Sequence, residues 1–266
     1  MKVINCFILS IFFLIAGCGN IKWFPGGSTG PALTLAFSAS TAQIGNPVTL
    51  TFTITNVADN PLQSNLTFTD TLKNISNGNG NFPVFVANPN VITNTCGGTI
   101  YTGGTTNAVS PGDQSFTFTG GSLAAGTTSC TVSIDITSNG TTNPGQPFTN
   151  GPGDVTSNLD QGNLTAQSLD FTPFTNGTLA AKDLRVTTTN TTAAISLFVN
   201  NSGGASVPTV TVTVQGFDTS SPPSSLYTAT ILLNNVAQGN NQPVSQSFTD
   251  SSIPNVKTWE ITAITN

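Results

Sequence analysis

The chain has 266 residues with six basic and eleven acidic side chains, no histidine, and a charged fraction of only 6%, where an ordinary soluble domain carries about 25%. The missing imidazole excludes Ser-His-Asp and Cys-His catalysis and imidazole metal sites, and six cations are too few to neutralise a nucleic-acid backbone, so no nucleic acid is expected as a partner. Polarity without high net charge is not the signature of a disordered chain, and 17 phenylalanines with many β-branched residues suffice for a core.

The first predicted element is a leader. Lys2 and the apolar run from Phe7 to Ile15, broken only by Ser10, read as a secretory signal over residues 1–17. The run falls short of the roughly 20 apolar residues that a membrane span needs. Residues 18–32, with Pro25-Gly26-Gly27 and Gly30-Pro31, read as a flexible tether. Trp23 and Phe24 within it suit a lipid interface or an ordinary linker equally.

Beyond the tether, alternation with a period of two dominates. Val48-Thr49-Leu50-Thr51-Phe52-Thr53-Ile54-Thr55 sends apolar side chains one way and threonines the other, and Leu66–Thr69 and Phe116–Thr119 repeat the pattern. In Cys130-Thr131-Val132-Ser133-Ile134-Asp135-Ile136 the cysteine is in phase with the apolar set, so its sulfur is expected to face the core. Turn pairs such as Asn77-Gly78, Asn79-Gly80, Gly97-Gly98 and Asn150-Gly151 punctuate the strands. No helical periodicity survives past the leader, which predicts antiparallel β-sandwich architecture.

A weak internal repeat points to two such units. Val48 to Asp70 runs strand, Asn56, a turn with Pro61, then strand; Ile195 to Val214 runs strand, Asn200-Asn201, a Gly-Gly turn with Pro208, then strand. The expected fold is all-β, two tandem sandwiches over 33–178 and 179–266, joined near Thr178 to Asn190.

The leader ends in Ile15-Ala16-Gly17-Cys18, which resembles the lipobox of bacterial lipoproteins. That resemblance implies cleavage before Cys18 and acylation of its thiol, palmitate included, so that the membrane becomes a partner through the lipid. Gly19 after the cysteine fits outer-membrane delivery in the enterobacterial pattern. Cys6 would leave with the leader and Cys18 would be acylated, so Cys96 and Cys130 remain. An even remainder in an exported protein reads as a disulfide, with free thiols or half of a metal site as the alternatives.

Residues 33 to 172 resemble the bacterial surface-repeat family known as domain of unknown function 11 and its close relatives. The matching stretches are Gln43-Ile44-Gly45-Asn46-Pro47, Leu66-Thr67-Phe68-Thr69-Asp70-Thr71-Leu72, Asn94-Thr95-Cys96-Gly97-Gly98-Thr99, and Gly121–Gly126 leading to Cys130-Thr131-Val132. Lys73 stands where the family usually has proline. The resemblance implies immunoglobulin-like sandwiches on an exported protein, and no chemistry.

Candidate reactive groups are few. Asp70, at a strand end, could ligate calcium with Asp113 or Asp59, yet no Asp-x-Asp-x-Asp-Gly loop is present, and such an aspartate more often bonds its own turn. Ten aspartates and the single Glu260 are too scattered to predict a glycosidase pair. The expectation is a non-enzymatic protein without cofactor or metal. It would be lipid-anchored in the cell envelope, as an adhesive, structural or binding module for a protein or glycan partner. The alternative is a periplasmic accessory subunit that pairs by sheet face or strand edge.

Overall fold

The computed structural model describes residues 30–58, 60–126 and 128–266. The leader, Cys18, Trp23, Phe24 and Asp59 lie outside these residues. Among the described residues, regular structure is strand throughout except for one 3-10 turn at Ile253–Asn255. The chain is all-β, and antiparallel pairing dominates.

The N-terminal sandwich has two main sheets. One runs Ala32–Phe37, Val48–Thr55, Ser129–Ser138, Val84–Val86 in space, with Ile92–Asn94 also on Ser129–Ser138; the other runs Val155–Ser157, Gln63–Thr71, Ser115–Leu123, Thr99–Thr102. The alternation read in the sequence decides which face is dry: Val48, Leu50, Phe52 and Ile54 are buried, and the threonines between them are half-buried. Phe52 stacks on Phe68 of the opposite sheet with ring centroids 4.5 Å apart, and Phe116 meets both rings edge-on. Ring pairs of this kind add to the area they bury. The outer faces are knitted by hydroxyls, with Thr51 3.0 Å from Ser133 and Thr69 2.8 Å from Thr117. A side ribbon of Phe148–Asn150, Gln167–Thr172 and Thr41–Gln43 contains the parallel pair, between its last two strands.

The C-terminal sandwich sets Phe174–Asn176, Leu179–Thr189, Thr192–Asn201 and Asn241–Thr249 against Ser225–Val236, Val207–Phe217 and Thr258–Thr265. Ile195, Leu197 and Val199 from one sheet and Val210, Val212 and Val214 from the other fill its core.

The junction differs from expectation. The stretch expected to link the units, Thr178 to Asn190, is mostly the strand Leu179–Thr189, and Phe174–Asn176 already pairs with it. The changeover falls between Thr172 and Phe174, across Pro173. The polar run Thr187-Thr188-Thr189-Asn190 reads as a linker because it is the solvent-exposed end of a strand entering a hairpin.

The internal repeat has a structural counterpart. In both copies the chain leaves one sheet and enters the opposite sheet at a corner held by a fully buried asparagine. Asn56 Nδ2 donates to the carbonyls of Pro61 and Ala124 at 3.2 and 3.0 Å. Asn201 Nδ2 donates to those of Ala205 and Val236 at 2.8 and 3.2 Å. Each side-chain oxygen accepts a nearby backbone N–H, from Val57 and Gly203 respectively. The carboxamide thus satisfies backbone groups that a corner removes from the sheet ladders.

Candidate functional site

Cys96 and Cys130 form a disulfide, with Cα atoms 5.0 Å apart. Cys130 faces inward from Ser129–Ser138, and Cys96 lies in the loop that crosses from Ile92–Asn94 in one sheet to Thr99–Thr102 in the other. The bond pins that crossing to the central strand. Gly98 in the same loop has φ +71°, and a Cβ there would lie 2.3 Å from the Thr119 carbonyl oxygen, so the close approach requires glycine.

Asp70 sits at the inner end of Gln63–Thr71, in register with Phe116 on one side and Val155 on the other, and has no exposed surface. Asn150 Nδ2 donates to its Oδ2 at 2.8 Å. Its Oδ1 and the Asn150 Oδ1 are buried without a hydrogen-bond partner among the described residues. Burial pushes the carboxyl up to about 7; the Asn150 hydrogen bond opposes this, and the charge of Asp154 adds to it. Asp154 in turn meets Lys73, the one ion pair among the described residues.

Of the expected companions of Asp70, Asp59 lies outside the described residues and Asp113 is engaged elsewhere. Asp113 accepts from Thr102 Oγ1 at 2.6 Å and from the Ser110 N–H at 2.8 Å, ordering its own loop. No group of three or more Asp, Glu, Cys or His suited to a metal ion exists among the described residues.

The feature that sequence reasoning missed is the seam between the sandwiches. At Asp183 the strand Leu179–Thr189 bulges, the residue takes φ +57°, and the carboxylate turns into the N-terminal unit with 1% exposure. Its Oδ1 accepts from Asn77 Nδ2 at 3.0 Å and from the N–H and hydroxyl of Thr141, both at 2.9 Å; Asn79 Nδ2 donates to Oδ2. Next to it, the Leu184 N–H donates to the Asn139 carbonyl at 2.9 Å, and Asn139 Nδ2 donates to the Trp259 carbonyl at 2.8 Å. Further along, Asn88 Nδ2 donates to the Asp218 carbonyl and to Thr258 Oγ1. Arg185 lays its guanidinium on the Phe82 ring at 4.4 Å and donates to the Asn79 carbonyl at 3.0 Å. Beside this seam opens a cleft of about 390 Å³, with Phe82, Phe85, Arg185, Thr187, Lys257 and Trp259 on its walls.

Fold and seam together define the class: a two-sandwich, disulfide-stapled β-protein whose polar seam locks its units. Residues 31–171, more than half of the chain and closely the N-terminal sandwich, match the family model "Domain of unknown function (DUF7933)", and the chain belongs to that family. The motif resemblance above is thereby supported as far as an unknown-function domain over this stretch, and not for domain of unknown function 11 specifically. No curated protein matches the chain.

Proposed function

We propose that this is a non-enzymatic, lipid-anchored cell-envelope protein that projects a rigid pair of immunoglobulin-like sandwiches as a binding or adhesive module. In this reading, acyl chains on Cys18 hold it in the outer membrane, since each buried methylene adds about 0.8 kcal/mol. The tether expected over 18–32 is shorter at its end, because Ala32 already pairs with Thr55 in the first strand, and the part that precedes this strand lifts the sandwiches clear. The observation that carries the reading is the seam at Asp183, because a spacer that must present a surface at a fixed distance needs its units locked. The Ile15-Ala16-Gly17-Cys18 tetrapeptide supports the anchor. The test is palmitate labelling together with protease digestion of intact and lysed cells. Label that is lost in Cys18→Ala, with cleavage on intact cells, is the expected result.

A second reading, a periplasmic accessory subunit, is favoured by one element. The 12-residue strand Ser225–Val236 is paired on one side only, and Leu232 is 60% exposed on it, so it offers an edge to a partner strand. Protection from protease until lysis would select this reading.

A further inference from the structure

We propose that the cleft on the seam is a binding site for a carboxylated saccharide, such as a uronic-acid unit of an envelope or matrix polymer. The inference deepens the binding-module reading and rests on it. Small-ligand sites favour domain interfaces and occupy about 300–1,000 Å³. At about 390 Å³ this cleft has room for one or two sugar rings rather than a folded segment.

Charge sets the ligand's sign. Four of the six basic residues, Lys73, Lys182, Arg185 and Lys257, lie among the described residues. Two of them line this cleft, and no aspartate or glutamate does. In a chain of net charge −5 that is a local concentration of positive potential.

Arg185 supplies the shape of the recognition. Stacking on Phe82 and the bond to the Asn79 carbonyl fix its plane, while its remaining N–H donors have no protein partner among the described residues. A planar fork held in place matches the two oxygens of a carboxylate better than a point charge does. Lys257 also lines the cleft, is exposed and makes no ion pair among the described residues; its backbone is held by a 2.8 Å bond from its N–H to the Phe217 carbonyl. Phe82 lies beneath the Arg185 plane, Phe85 and Trp259 add apolar lining suited to the C–H groups of a sugar ring, and exposed Asn81 and Thr187 offer neutral groups to its hydroxyls. Both sandwiches contribute walls, so the lock at Asp183 also fixes the geometry of the cleft.

The test is calorimetric titration of the detergent-solubilised full chain with trigalacturonate. Glucose, inorganic phosphate and hexaglutamate serve as comparison probes. Trigalacturonate is expected to bind; Arg185→Gln should weaken it about tenfold through loss of the bidentate contact, and Lys257→Gln about threefold as a solvated charge. The Lys257 side chain makes no hydrogen bond or ion pair across the seam among the described residues, so its variant tests the site even if Arg185→Gln disturbs the joint. No heat with trigalacturonate, equal binding in Lys257→Gln and Arg185→Gln, or equally tight binding of glucose, phosphate or hexaglutamate would overturn the assignment. Failure here leaves the protease result untouched. Binding by a protein found protected inside the envelope would overturn the surface placement alone.

Discussion

A carboxyl group with no exposed surface must be neutral, paired with a cation, held by several hydrogen bonds, or a burden on the fold. Asp70 has the Asn150 amide on one oxygen and no hydrogen-bond partner on the other among the described residues. A proton on Oδ1 would turn an acceptor into a donor and could satisfy the orphaned Asn150 oxygen as well. The carboxyl rises from an ordinary 3.8 to about 7 in the fold, with burial the main cause. The folded state therefore holds this proton over a range where the unfolded chain has released it. That stabilisation is complete below about 3.8 and is lost as pH climbs through about 7. Glu260, lifted by burial from 4.5 to about 7, acts in the same direction. The Asp70 contribution is at most roughly 4 kcal/mol. Asp70→Asn supplies a donor and an acceptor without charge. It is expected to match the parent at pH 4, to exceed it by roughly 1–3 kcal/mol at pH 8, and to flatten the slope between them. Urea unfolding across that range reads this directly, and an unchanged slope would remove Asp70 as its source.

At the scale of elements, the strands were plain in the sequence because a half-buried sheet writes itself as alternation. The pattern over Val48–Thr55 is the burial pattern of the folded strand, and Cys130 faces inward as its phase predicted. The disulfide closes a separation of 34 residues. Loop entropy assigns a bridge of that span roughly 3–4 kcal/mol, so Cys96→Ala/Cys130→Ala is expected to lower stability by about that much in urea melts. Reductant should move the parent and leave the variant still. What alternation could not reveal is pairing between distant residues. Asn150 and Asp154 lie 80 or more positions from Asp70 and look like turn residues in sequence. Asp183 hides better still, since an aspartate in a strand reads as an exposed charge, and only the local bulge at φ +57° turns it inward. The same bulge sits inside the stretch that sequence reading gave to the linker.

At the scale of the molecule, that one carboxylate gathers four of the side-chain hydrogen bonds that join the two sandwiches. Removing it strands donors from Asn77, Asn79 and Thr141 in a buried joint. Each buried donor left without its acceptor costs roughly 1–3 kcal/mol. Asp183→Ala is therefore expected to split a single calorimetric transition into two and to widen the small-angle scattering profile, and the disulfide and both cores should survive. A single undivided transition in the variant would show that the remaining contacts, Asn139 with Trp259 and Asn88 with Thr258, lock the joint without it.

The scarcity of ions in the framework has its own consequence. Strand faces are joined by hydroxyl pairs such as Thr51 with Ser133 and Thr69 with Thr117, and one ion pair, Lys73 with Asp154, is found among the described residues. Dissolved electrolyte screens charges and leaves such neutral contacts alone. A fold built this way is expected to keep its stability nearly unchanged as ionic strength rises, so that salt acts on what the protein touches rather than on what it is.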